Sequence, residues 1–205
     1  MVGLVSTMAT AAPAVAQEPR LSVSPGNPEN NWRAAVQPLE MLADSGLVRP
    51  LLSGLPLRFH FQLELWHDRF IADGLVEQTS WSLILFQEPL SGEFSLTRSW
   101  DPDRAEWFAT LAAAGQALER FYLSPLDGPE PNSGQYYYDA RLEVEVLSLG
   151  DLDELEHWLR GEVLDEESSG GGLVGALGRG FKRLFIRLIG LSARKYQART
   201  ELFRP

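Results

Sequence analysis

Residues 136–146 read Tyr136-Tyr137-Tyr138-Asp139-Ala140-Arg141-Leu142-Glu143-Val144-Glu145-Val146. Tyr136, Tyr138, Ala140, Leu142, Val144 and Val146 alternate with Tyr137, Asp139, Arg141, Glu143 and Glu145. Successive strand side chains point to opposite faces, so this period predicts a long antiparallel strand with one wet face. Upstream, Leu57-Arg58-Phe59-His60-Phe61-Gln62-Leu63-Glu64-Leu65 repeats the pattern, with Arg58, His60, Gln62 and Glu64 expected in solvent. Between these two strands, residues 77–87 and 93–100 are β-rich and are joined by Glu88-Pro89-Leu90-Ser91-Gly92, a hairpin signal.

Helical signals surround the strands. Asp101-Pro102-Asp103 carries N-terminal capping chemistry, and Trp107, Phe108, Leu111, Ala114, Leu118 and Phe121 follow at helical spacing, which predicts a helix over 101–122. A shorter acidic helix is expected over 148–161, with Leu152, Leu155 and Leu159 on its apolar side. Residues 36–56 fit one or two short helices broken by Gly46 and Pro50. The stretch 17–37 is loop-rich, with a short strand at Leu21–Val23. The expected fold is α+β: an antiparallel sheet with packed helices over residues 38–163, then a linker at 164–172 and a basic amphipathic helix and tail over 173–205. The alternative is a β-sandwich with peripheral helices.

The 205 residues suffice for one core of ordinary size. With 18 Lys+Arg against 28 Asp+Glu, the net charge is -10, which argues against a nucleic-acid partner, since phosphate contacts need a basic surface. The charge is segregated. Residues 172–205 hold Arg179, Lys182, Arg183, Arg187, Arg194, Lys195, Arg199 and Arg204 against Glu201, and both lysines of the chain lie there. At 100° per residue Val174, Leu177, Phe181, Leu184, Phe185 and Leu188 share one side of a helix. Arg179, Arg183, Arg187 and Arg194 lie opposite. Such a helix can lie in an anionic bilayer interface or dock on its own acidic body.

Residues 1–16 are apolar and small-residue-rich and end in Ala14-Val15-Ala16, which predicts a signal peptide. The basic start such a peptide needs is missing, as if the true start lay upstream. The chain has no cysteine, which excludes disulfides, thiolate metal sites and Cys nucleophiles. Gly170, Gly172 and Gly175 match G-x-G-x-x-G but follow an acidic linker where a dinucleotide fold needs a strand. His60, His67 and His157 lack ligand spacing, Asp101 and Asp103 do not continue a calcium loop, and Glu143 with Glu145 is what any solvated strand shows. No cofactor is implied and no reaction is assigned.

The segments LLSGLPLRFHFQLELWHDRFIADG, SWSLILFQEPLSGEFSLTRSW and YYYDARLEVEVLSLGDLDELEHWLRGE together resemble the bacterial exported family known as domain of unknown function 4390, over about residues 38–163. The resemblance implies an envelope-located domain with no assigned activity, so it carries over no catalytic residues. The leading expectation is a non-enzymatic exported protein, periplasmic or envelope-associated. It would bind an anionic membrane surface or an envelope protein through Arg179, Phe181, Lys182, Arg183, Leu184, Phe185, Arg187 and Leu188. The alternative is a small-ligand binder or hydrolase with a polar cleft around His60, Glu64, Tyr136 or Tyr138. The oligomeric state is left open.

Overall fold

The computed structural model describes residues 18–130, 134–147 and 193–205. Its longest strands are β3 (Leu57–Asp68), β4 (Gly74–Gln87) and β8 (Gln135–Val146). Six antiparallel strands run in the order β6-β5-β4-β3-β8-β9, where β5 is Phe94–Arg98, β6 is Asp101–Phe108 and β9 is Arg194–Arg199. A second sheet, β1-β2-β7, is built from Arg20–Ser24, Ala35–Leu39 and Tyr122–Leu123. The α-helices among the described residues are α1 (Ser45–Leu52) and α2 (Leu111–Leu118).

The alternating apolar set of β3 makes the centre of the core. Leu57, Phe59, Phe61, Leu63 and Leu65 are buried, flanked in register by Trp81, Leu83 and Leu85 of β4 and by Tyr138, Ala140, Leu142 and Val144 of β8. Burying each large side chain contributes roughly 1.5–3 kcal/mol. Val36 of the small sheet, Leu47 and Leu51 of α1, and Ala114, Ala117 and Leu118 of α2 close over the same face, so the two sheets share one core.

The expected α+β arrangement with packed helices gives way to a β-rich one. Asp101–Phe108 is a strand, not the first half of a helix, because its backbone completes the ladder of β5: Ser95 pairs with Trp107 and Leu96 with Glu106. The helix begins only at Leu111, where Thr110 Oγ1 accepts from the N–H of Ala113 at 3.2 Å. The short strand expected at Leu21–Val23 is present as β1, and it pairs antiparallel with β2, a strand that stands where loop and the start of a helix are expected. At the other end Arg194, expected on the basic face of a tail helix, opens β9, which pairs with β8 from Val144↔Arg194 to Asp139↔Arg199. The expected leader at 1–16, the helix at 148–161, the linker at 164–172 and residues 173–192 of the expected basic helix lie outside the described residues.

Candidate functional site

The face of the large sheet opposite the core is a lattice of polar residues. Pairing across β3, β8 and β9 aligns Arg58 with Glu145, then His60 with Glu143 and Lys195, then Gln62 with Arg141 and Gln197, then Glu64 with Asp139 and Arg199. The next row is Trp66 with Tyr137, whose rings stack with centroids 6.4 Å apart. Sequence alternation alone predicts a wet face here. Instead Arg58, Glu64, Asp139 and Glu145 are all buried, because each charge finds an opposite charge in a neighbouring strand.

The contacts are specific. Asp139 accepts from Gln197 Nε2 at 3.0 Å and from Arg199 Nη2 at 3.0 Å, and the Arg199 guanidinium lies 4.5 Å over the Tyr137 ring. Glu64 accepts from Trp66 Nε1 at 3.0 Å, from Gln62 Nε2 at 3.2 Å and from Arg141 Nη1 at 3.3 Å. Lys195 Nζ sits 3.2 Å from Glu143 Oε1, and Arg58 pairs with Glu145. A cleft of about 390 Å³ opens over this lattice, lined by His60, Gln62, Arg141, Glu143, Lys195 and Gln197 among others.

His60 Nδ1 lies 3.0 Å from Ser82 Oγ. Burial, with the Arg58 charge beside it, pushes the imidazole down to about 4, so it is neutral at pH 7. The pair has the spacing of a base and a nucleophile, but Ser82 is only 2% exposed, and a serine nucleophile must reach its substrate. The geometry is that of a satisfied buried hydrogen bond. Tyr136 and Tyr138, named with His60 and Glu64 as cleft residues, lie on the core face. Tyr138 donates to the Trp32 carbonyl at 2.9 Å, and Tyr136 stacks on His67 with centroids 4.6 Å apart. The structure therefore places His60 and Glu64 on one face of β3, with His60 but not Glu64 lining the cleft, and puts both tyrosines on the other face. Glu143 and Glu145 answer to different cations, and Asp101 and Asp103 belong to β6. No cluster of three or more metal-ligating side chains forms among the described residues.

The tail's cations meet the acidic body where they are described. Arg194 Nε donates to Asp44 Oδ2 at 2.9 Å, a hydrogen bond that together with the Gly46 N–H holds the Asp44 carboxyl below its usual range. Lys195 and Arg199 pair with Glu143 and Asp139. Arg179, Phe181, Lys182, Arg183, Leu184, Phe185, Arg187 and Leu188 lie outside the described residues. No helix among the described residues is long and apolar enough to cross a membrane.

A second surface escapes the sequence reading. The turn between β3 and β4 carries Phe70 and Ile71 at 106% and 94% exposure, and Leu75 and Val76 begin β4 in solvent. The signal was present in two large apolar residues held between Asp68-Arg69 and Asp73-Gly74, a turn composition with no core to fill. Compared with known proteins, the chain matches no family model, no curated protein and no solved structure.

Proposed function

We propose that this is a non-enzymatic protein of the bacterial envelope that attaches to an anionic membrane surface through the segment bearing Arg179, Lys182, Arg183 and Arg187, with Phe181, Leu184, Phe185 and Leu188 burying apolar area. The observation that supports this reading is the division of the basic tail. From Arg194 onward Arg194, Lys195 and Arg199 are engaged by Asp44, Glu143 and Asp139 of the body. Residues 173–193 hold the other cationic run and contain no acid at all. β8 ends at Val146 and β9 begins at Arg194, which pairs with Val144, so the longer stretch 147–193 that contains this run is bounded at one end of the sheet. Export is supported by the Ala14-Val15-Ala16 pattern and by the family resemblance.

Flotation of the full chain with anionic and with neutral vesicles tests the proposal. Binding to anionic vesicles, weakened by salt and lost in the variant Arg179→Gln/Lys182→Gln/Arg183→Gln/Arg187→Gln, is the expected result. Equal recovery with both vesicle types, or binding that survives the substitutions, overturns it. The cleft of about 390 Å³ favours a second reading, a small-ligand binder, whose ligand would have to replace the ion pairs of Arg141 and Lys195.

A further inference from the structure

We propose that the open half-edge of β4, Gly74–Ser80, receives an added strand from a partner protein, an extended segment that is apolar on alternate residues and carries net positive charge. β3 pairs with β4 from Gly74 through to Leu85, whereas β5 pairs with it only from Leu83 to Gln87. Along Gly74–Ser80 one edge is thus engaged, and among the described residues no strand lies on the other. An antiparallel strand leaves outward N–H and C=O groups on alternate residues, which is the template for strand addition.

The slot has walls. At one end the β5–β6 turn is fixed to β4 by the Ser99 N–H donating to the Ser82 carbonyl and the Ser82 N–H donating to Ser99 Oγ, each at 2.9 Å. At the other end the hairpin turn projects Phe70 and Ile71. The space between accepts a strand of about seven residues, roughly 23 Å. The outer edges of the same sheet are blunted in the usual ways: β6 carries Pro102, Asp103 and Arg104, and β9 carries Arg194, Lys195 and Arg199. Gly74–Ser80 has neither Pro nor Lys and exposes Leu75 and Val76 by about half; a β-bulge at Val76 interrupts its ladder with β3, which is regular from Glu77 to Ser80.

Charge selects the occupant. Asp68, Asp73, Glu77, Asp101 and Asp103 lie along the slot and its two walls against Arg69, Arg98 and Arg104, five acids to three cations. A basic strand complements this border, whereas a second copy of the chain would repeat it. A bilayer is excluded because free backbone N–H and C=O groups cannot enter hydrocarbon. The inference stands apart from the membrane reading. The twelve residues of β3 span about 36 Å, and the slot lies toward their Asp68 end, whereas Val146 and Arg194, which bound the stretch containing the basic segment, lie toward the Leu57 end.

The test is amide hydrogen exchange of the full chain with the blocked peptide Val-Lys-Val-Lys-Val-Lys-Val and with its glutamate counterpart. The lysine peptide is expected to slow exchange within Gly74–Ser80, and the glutamate peptide to leave it unchanged. Val76→Lys and Glu77→Lys, both at exposed positions, are each expected to weaken the lysine peptide by about tenfold. Several results would overturn the proposal: unchanged exchange at millimolar peptide, protection centred on β6 or β9, or equal protection by both peptides. Protection that grows with protein concentration in the absence of peptide would instead make the occupant a second copy. None of these results depends on vesicle binding.

Discussion

Asp139 and Arg199 face each other across β8 and β9, with Arg199 Nη2 3.0 Å from an Asp139 carboxylate that is only 2% exposed. Gln197 and Arg141 reach the same carboxylate from the neighbouring row. Asp139 is therefore the buried acceptor that fixes β9, and Arg199, more than half exposed, is the partner that water can replace. Asp139→Ala is expected to cost about 1–3 kcal/mol and Arg199→Ala less than 1 kcal/mol. Chemical denaturation of the two single variants and the double variant measures this asymmetry, and equal single costs would contradict it.

Arg58 and Glu145 form the most enclosed ion pair of the lattice. Glu145→Ala removes the carboxylate paired with a buried guanidinium and is expected to lose about 3–5 kcal/mol. Arg58→Leu/Glu145→Leu, which removes both charges and keeps apolar volume, is expected to regain most of that loss. A double variant no more stable than Glu145→Ala would show that the pair is not the reason for the cost.

His60 gives the protein a pH dependence of definite sign. Its folded value of about 4 lies below the ordinary value of 6.5, so the unfolded chain binds the proton first. Stability is full above about pH 6.5, falls as the pH drops toward 4, and loses no more to this group below that. The total is up to about 3 kcal/mol. Asp44 and Asp73 are displaced downward, so their contributions are held above the ordinary carboxylate range and are lost only at lower pH. Melting temperatures of the protein and of His60→Gln between pH 7 and pH 4 should converge as the pH falls. Parallel curves would contradict the assignment.

Phe70 and Ile71 touch no core, so the fold should not notice them. Phe70→Ser/Ile71→Ser is expected to change the unfolding free energy by less than about 0.5 kcal/mol while making the protein less prone to associate. A marked loss of stability on denaturation would mean that the turn packs in a way its exposure does not reveal.

Much of the large sheet is legible in the sequence. β3 and β8 announce themselves by strict alternation, and Pro89 and Gly92 mark the hairpin from β4 to β5. The misread elements share a cause: a signal read within one segment is outweighed by that segment's pairing with another strand. Asp101-Pro102-Asp103 has the chemistry of a helix start, yet its backbone is claimed by β5, sequence-adjacent but invisible to helical periodicity. In β9 Tyr196 and Ala198 pack against the core while Lys195, Gln197 and Arg199 meet the polar lattice, a period of two overlooked because the cations upstream fit a helix. Alternation correctly gave the two faces of β3 and β8, but it could not say that the polar face would be buried. That depends on Glu145 lying beside Arg58 and Asp139 beside Arg199, facts of register between distant segments.

The central position of β3 also sets the order in which the molecule can assemble. Its partner β4 follows at once through a five-residue turn, but its other partner, β8, comes later in the chain by 67 residues (135 − 68) to 89 residues (146 − 57). A local hairpin closes in microseconds, while pairing across so long a separation is delayed by loop closure. During that interval Phe59, Phe61 and Leu63 form part of an unfinished edge whose backbone is open to any other strand. The folding of this chain should therefore be limited by the arrival of β8. Holding the early hairpin apart from its neighbours until then is the step at which a chaperone would act.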